Sequence, residues 1–336
     1  ILPSNCIGGA ECAAKTTEYI SNKDFSFSLF FISRKSKTYK AKFLSIANYL
    51  EDSFFSVIKI LNNSPDFLII SLWKSCVIAL FVKFFKPKVK IILFLHSYKS
   101  LNIIDYFFNN LVGIISFEIW ADSQITLKDR IKSFYFIKQK KRKEIISFIL
   151  NHYKPLPINK IKTNFIFWGR LAPEKNISRA IDIFYSVYKK RKNSKFIIIG
   201  PDNGEFFKLN QQIINLDLVN NVKIIDELSF NEIKKYAENS SFFIQSSITE
   251  GMGMSVLESM QLGLVPIVTN VGNIKNYCID NFNSIIIDEA ITRKILDISG
   301  HAERYLDLRK NAIETWHSKN LYREDIYENC LRLAQK

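Results

Sequence analysis

Glu250 and Glu258, with seven residues between them, lie in Thr249–Pro266, TEGMGMSVLESMQLGLVP. Gly251 and Gly253 have no Cβ, so the backbone there can turn sharply and approach a ligand closely. Ser255–Leu262 then reads as a helix stopped by Gly263, with Pro266 just beyond. The start of such a helix, Gly253-Met254-Ser255, offers unpaired N–H groups and a partial positive charge that suit a phosphate. Eight helical steps separate two side chains by roughly 12 Å. One ligand therefore meets both carboxylates only if Glu250 sits in the loop and folds back. Taken alone, the pair reads as two solvated glutamates on a surface helix, and only its context favours a ligand site.

A second group of charges lies upstream. Asn164–Trp168 (NFIFW) is a short apolar run, followed by Gly169-Arg170-Leu171-Ala172-Pro173-Glu174-Lys175-Asn176. From Ile177 to Lys190 apolar residues recur at helical spacing: Ile177, Ala180, Ile181, Phe184, Val187 and Tyr188. Arg170 and Lys175 thus flank a strand-to-helix turn, where parallel α/β sheets bind ligands. Two cations there could neutralise a diphosphate leaving group, or form an ordinary charged loop.

The succession of these segments is more specific than either alone. Strand–GRLAPEKN–helix, then KFIIIG ending at Gly200, then FFIQSSITEGMGMSVLESMQLGLVPIVTNVGN resembles the donor domain of glycosyltransferase family 4. The resemblance spans residues 164–288. Upstream, Ile7-Gly8-Gly9-Ala10-Glu11 resembles the family's first glycine loop, and Ile91–His96 (IILFLH) the strand ending in an active-site histidine. The resemblance implies an α/β protein of GT-B fold, two Rossmann-like domains facing across a cleft, and retaining transfer from a nucleotide sugar.

It also implies roles. Arg170 and Lys175 match the family's phosphate-binding pair, assisted by backbone at Gly253, Met254 and Ser255, where fixed positive charge meets the departing diphosphate. Glu258 matches the residue that accepts hydrogen bonds from the ribose diol, and Glu250 the one that orients the transferred sugar. Gly8 and Gly9 would let backbone approach the phosphates or the acceptor. His96 would touch the sugar or the acceptor, with a core or capping histidine as the other reading. Asp-x-Asp does not occur in the chain, so metal-independent action on a UDP- or GDP-sugar is expected, with no further cofactor. Three departures stand out: Asp226-Glu227-Leu228 where a glycine loop is usual, Val271-Gly272-Asn273-Ile274-Lys275 where Gly-Gly and an acid are usual, and Asn151-His152 where Asn-Gly is usual.

The elements that must position these residues follow from pattern. In the first half, strands are expected at Ser26–Ile32, Phe67–Ser71, Ile91–His96, Gly113–Ser116 and Glu118–Ala121, with helices at Glu11–Ser21 and Thr38–Glu51 and a long basic helix or helix pair over Thr126–Phe148. Prolines in His152–Asn159 mark a linker. In the second half, strands are expected at Asn164–Trp168, Lys195–Ile199, Val222–Ile225, Phe242–Gln245, Val265–Thr269 and Ser284–Ile287. Strands alternating with helices give parallel sheets covered on both faces. On these boundaries the resemblance implies an acceptor-binding domain at 1–152, a donor-binding domain at 153–318, and a closing helix at 319–336 that returns to the first domain. Only Ile1-Leu2-Pro3 precedes Ser4-Asn5, so a first strand cut short at its start is expected.

The length, 336 residues, suits two such domains. Cys6, Cys12, Cys76, Cys278 and Cys330 form no C-x-x-C pair and read as reduced thiols of a cytosolic protein. Charge is uneven: residues 1–152 hold 22 Lys/Arg against 11 Asp/Glu, and the remainder 25 against 21. The densest run, Lys138–Lys143 behind Phe134-Tyr135-Phe136-Ile137, is a solvated helix face or a contact with anionic lipid on the inner membrane. Phe67–Val82 is the most apolar segment, and Lys74 within it argues for a buried strand and helix rather than a span. The expected activity is sugar transfer to a glycan or lipid-linked acceptor in bacterial surface polysaccharide synthesis, such as lipopolysaccharide, O-antigen or capsule. A GT-B epimerase lacks recognisable acid/base residues here. A nucleic-acid-binding protein would use the same basic charge, and a non-catalytic homologue would keep the fold without turnover.

Overall fold

In a computed structural model of the protein, all residues are described except 5–8, 19, 21, 34–41, 98, 101, 134–140, 159–160 and 336. The chain divides into two compact units, Ile1–Leu150 with Asn320–Lys336, and Asn151–Lys319. Both are α/β, and every strand pairing is parallel.

The first unit runs β1 (Leu2–Ser4), α1 (Gly9–Lys15), β2 (Phe31–Ser33), α2 (Lys42–Asn63), β3 (Phe67–Ser71), α3 (Trp73–Phe85), β4 (Lys90–Leu95), α4 (Ile103–Ile115), β5 (Glu118–Ala121), α5 (Gln124–Ser133) and β6 (Arg142–Ile145). Strands β1 and β2 pair with each other, and β3-β4-β5-β6 form a four-stranded sheet. The strands are near-continuous apolar runs, as a sheet covered on both faces requires. One face packs Ile60, Ile78, Val82, Ile91, Leu93 and Ile119 into a single core.

Several expectations for this unit are corrected. Of Ser26–Ile32 only the end is strand, within Phe31–Ser33, and the helix expected to end at Glu51 runs on to Asn63. Gly113–Ser116 is no strand: the helical stripe of α4 continues to Ile115, and the chain turns only at Ser116. The long helix over Thr126–Phe148 is not formed either. Helix α5 ends at Ser133, and Arg142–Ile145 joins the sheet edge in register with Glu118–Ala121. Charge hides this strand, because Arg142 and Glu144 pair across one residue at 2.6 Å. Within the basic run, Lys141 donates to the carbonyls of Gly113 and Ile114 at 2.9 and 2.7 Å, neutralising the end of α4. The first strand is three residues long.

The second unit runs β7 (Phe165–Trp168), a 3-10 turn (Pro173–Lys175), α6 (Ile177–Tyr188), β8 (Phe196–Ile199), α7 (Phe206–Asn215), β9 (Val222–Ile225), α8 (Phe230–Ala237), β10 (Phe242–Gln245), α9 (Met254–Gln261), β11 (Val265–Val268), α10 (Ile274–Tyr277), β12 (Ile285–Ile286), α11 (Ile291–Gly300) and α12 (Ala302–His317). Its sheet order is β12-β11-β10-β7-β8-β9. The chain leaves β7 in one direction and β10 in the other, so the topological switch point lies between these two strands. The crevice beyond their carboxyl ends is where such sheets bind ligands.

The last helix, α13 (Tyr322–Ala334), packs on the first unit. The Tyr322 N–H donates to the Ile149 carbonyl at 2.7 Å, and the Asp325 carboxylate accepts from the Ser147 N–H at 2.6 Å. Arg332 forks onto both oxygens of Glu118, a residue 1 % exposed, at 2.7 and 2.6 Å. A buried carboxylate left without its cation is strongly unfavourable, by about 3–5 kcal/mol. Arg332→Ala should therefore lower amide hydrogen-exchange protection of β5 and β6 by that order, leaving β7 to β12 unchanged. Unaltered protection in β5 would show that the pair does not hold the helix there.

Candidate active site

The switch point gathers two loops, Gly169–Asn176 after β7 and Ser246–Gly253 after β10. Gly169 and Gly200, which follow β7 and β8, have φ near +144° and +150°. A Cβ on Gly200 would lie 1.9 Å from the Gly169 carbonyl oxygen, so only glycine allows this approach. The loops are stitched together by the Ile248 N–H on the Glu174 carbonyl (2.8 Å) and the Ser246 hydroxyl on the Asn176 carbonyl (2.7 Å).

Lys175 and Glu250 meet across this stitch at 2.6 Å. The same Glu250 oxygen accepts from the Gln245 amide at 2.7 Å and the Ser247 hydroxyl at 3.2 Å, and Ser255 donates to the Gln245 carbonyl oxygen at 3.0 Å. Gln245 and Ser247 are buried. Arg170 lies apart from this cluster: its side chain is more than half exposed and pairs with Glu174 at 3.1 Å.

Glu250 lies in the loop, and α9 begins at Met254. Gly253 caps that helix with φ +70° and contributes no side-chain cap, so the first N–H groups, those of Met254 and Ser255, stay ahead of the intrahelical ladder. A Cβ at Gly253 would reach 2.8 Å from the Tyr277 hydroxyl, which donates to the Met252 carbonyl at 2.6 Å. Gly272, with φ +54°, packs so tightly that a Cβ would lie 1.8 Å from the Glu250 carbonyl oxygen. The turn between the two glutamates is therefore held from behind by Gly272 and Tyr277.

Glu258 is on α9, where the Trp168 indole N–H donates to it at 2.8 Å. The residue is partly exposed, but its carboxylate is enclosed, and burial pushes its pKa up to about 7 against the partial relief of the Trp168 hydrogen bond. Tyr153 belongs to the same corner. Burial raises its phenol pKa, with the Glu258 charge adding to the effect, and its ring packs 4.3 Å from that of Phe230.

In the first unit, Gly9 opens α1, while Gly8 lies outside the described residues. His96 follows β4, with Nε2 2.9 Å from the Ser71 hydroxyl. Burial holds its pKa down to about 3, so the ring is neutral. Its Nδ1 has no hydrogen-bond partner among the described residues. The neighbouring strand β5 is followed by Asp122, buried, raised by burial to about 6, with Oδ1 likewise unpartnered among the described residues. Sequence reasoning missed Asp122, Gln245 and Ser247. The signal for each was a polar residue closing or following an apolar strand, in EIWAD and FFIQSS.

The model of the family Glycosyl transferases group 1 matches residues 148–315, half of the chain and almost the whole second unit. The chain belongs to the group 1 glycosyl transferases. The alpha-monoglucosyldiacylglycerol synthase of Acholeplasma laidlawii is 30 % identical over 155 residues, 44 % of this chain and 37 % of that protein. Half or less of each of the first curated relatives is spanned by the match. Anabaena HepE, solved with UDP, superposes with a TM-score of 0.79 at 16 % identity over 98 % of both chains. The lipopolysaccharide outer core galactosyltransferase WaaB, in its apo form, gives 0.67 at 17 % identity over 100 % of this chain and 99 % of that one. These likenesses show the fold: two Rossmann-like domains of the GT-B kind.

The buried Glu258 makes a prediction for this group 1 chain. An ordinary glutamate loses its proton near pH 4.5, and Glu258 keeps its own to about pH 7. Between these values the folded protein holds more protons than the unfolded chain, so this residue's contribution to stability falls as pH rises across the window. Glu258→Gln should accordingly be more stable than wild type at pH 8, by up to about 3 kcal/mol, and equal to it below pH 4.5. Urea unfolding at both pH values measures this, and equal stability at pH 8 would contradict the burial of charge.

Proposed function

We propose that this protein transfers a sugar from a nucleotide-sugar donor, with retention of anomeric configuration, to a glycan or lipid-linked acceptor in bacterial surface polysaccharide synthesis. The observation that carries the reading is the convergence of Lys175, Glu250 and the open start of α9 at the switch point of the second sheet. Cleaving the bond from a sugar's anomeric carbon to a diphosphate leaves negative charge on the diphosphate. Catalysis needs fixed positive charge where that develops.

In this reading Lys175 and the N–H groups of Met254 and Ser255 receive the diphosphate, and Arg170 swings from Glu174 to join them. Glu174 is an exposed partner, so exchanging it for a phosphate costs little. Glu250, held through one oxygen by Gln245 and Ser247, keeps lone pairs on the other for the hydroxyls of the transferred sugar. Glu258 takes the ribose diol, a use for which a carboxylate accepts two donors at once. His96 meets the sugar or the acceptor as a neutral ring.

UDP is the nucleotide favoured, since HepE was solved with it. The Acholeplasma alpha-monoglucosyldiacylglycerol synthase and the lipopolysaccharide galactosyltransferase WaaB favour an acceptor on a lipid or a lipopolysaccharide core, with hexosyl transfer as the chemistry. Charge supplied by Lys175, Arg170 and the helix start takes the place of a divalent ion, so transfer should proceed without metal.

Two measurements test this. Lys175→Ala should bind donor but transfer sugar on the order of a hundredfold more slowly, because the lysine's interaction strengthens as the leaving group charges. Near wild-type turnover would remove Lys175 from the mechanism. Transfer by the wild type should persist in EDTA, and complete loss restored by magnesium or manganese would reassign the diphosphate charge to a metal.

A further inference from the structure

Helices α3 and α4 pack side by side, with the rings of Trp73 and Phe108 stacked between them at 6.2 Å. The inward face of α3 supplies Cys76, Ile78, Ala79 and Val82 to the core of the first unit, whereas α4 turns Asp105, Asn109 and Asn110 inward, and both helices carry large apolar side chains outward. Phe84 is 78 % exposed and Ile103 81 %, and Phe81, Phe85, Phe107 and Ile114 are exposed beside them. The only charged residue in α4 is Asp105, which is buried and paired with Arg130 at 3.2 Å. A helix that turns its polar residues inward and its apolar ones outward belongs against a nonaqueous surface. Six such side chains outward on two neighbouring helices are a concentration of bare apolar surface, unlike the single exposed residues scattered over an ordinary monomer.

Charge selects what covers it. The stretch Trp73–Lys90 contains five lysines and no acid, and residues 1–152 hold 22 Lys/Arg against 11 Asp/Glu. A second copy would bring the same positive charge to the contact, whereas an anionic headgroup layer complements it. Phenylalanine and isoleucine flanked by lysine is the composition that lies in a lipid interface. Within Trp73–Lys90, Lys83 and Lys86 donate to the Val89 and Leu61 carbonyls at 2.6 Å and Lys90 lies over the rings of Phe67 and Phe117, while Lys74 and Lys88 are exposed. Lys141 and Arg142, from the run expected to do this work, are engaged with the end of α4 and with Glu144. Among the described residues no helix is long and apolar enough to cross a membrane.

We propose that the outward face of α3 and α4 docks on an anionic bilayer, its aromatic and isoleucine side chains entering the headgroup boundary and the exposed Lys74 and Lys88 holding its rim. This goes beyond the transfer reading, and vesicle binding is read without turnover, so either can fail alone. The test is co-sedimentation of the full chain with vesicles of phosphatidylglycerol and phosphatidylcholine, compared with phosphatidylcholine alone. Wild type should bind the anionic vesicles and bind the neutral ones weakly. Phe84→Ser/Phe85→Ser/Phe107→Ser should lose at least about tenfold in partitioning, with unchanged thermal unfolding because all three side chains are exposed. Phe206→Ser/Phe207→Ser, exposed phenylalanines of the second unit, should bind like wild type. Wild type that ignores anionic vesicles, a triple variant that binds equally well, or a wild-type dimer in solution dispersed by the triple variant would each overturn the proposal.

Discussion

One oxygen of Glu250 accepts hydrogen bonds from Lys175, Gln245 and Ser247, and the second unit is organised around that convergence. It ties the loop after β7 to the end of β10 and to the turn that opens α9. Each donor comes from a different structural obligation: Lys175 from a 3-10 turn, Gln245 from the last position of a buried strand, Ser247 from the loop itself. A carboxylate so engaged is fixed in one rotamer, and its second oxygen points a known way. The pairing also sets the chemistry of Lys175, whose charge is balanced at rest. In the proposed reaction a diphosphate competes for it, and the ammonium acts most strongly when the leaving group carries the most charge.

Close backbone approach makes this convergence possible. Gly200 against Gly169, and Gly272 against Glu250, leave no room for a Cβ. The first contact brings the ends of β7 and β8 together; the second presses the glutamate turn forward from behind. Side chains are excluded there so that others can be placed a few ångströms away. The cost is backbone held at positive φ, which glycine bears with little strain.

Much of this was legible in the sequence, and the reasons are local. Phe67–Ser71, Glu118–Ala121, Val222–Ile225 and Phe242–Gln245 are strands where the apolar runs place them, because a doubly covered sheet leaves no polar face to blur the signal. Arg142–Ile145 was read as helix because its charges are those of a solvated helix, and only tertiary pairing with β5 makes it a strand. Gly113–Ser116, expected as strand, is the last turn of α4 and its C-cap, since the helix runs to Ile115. Glu250 lies in the loop and α9 begins only at Met254, which meets the condition for one ligand to reach both carboxylates. What spacing could not show is which charges find each other: Lys175 reaches Glu250, seventy-five residues away, whereas Arg170 turns to the near Glu174. Gly272 sits in the segment flagged for departing from the family pattern, and its purpose emerges only from the carbonyl it packs against.

The central claim, that the second unit is a nucleotide-sugar site, is tested most directly by thermal unfolding in the presence of nucleoside diphosphates and their sugars. A ligand at a hundred times its dissociation constant should raise apparent stability by about 2.7 kcal/mol. The account predicts that UDP and one UDP-sugar do so and that nucleosides without phosphate do not. If no nucleoside diphosphate or nucleotide sugar shifts the transition at millimolar concentration, the convergence of Lys175, Glu250 and the α9 start serves some other end and the account fails.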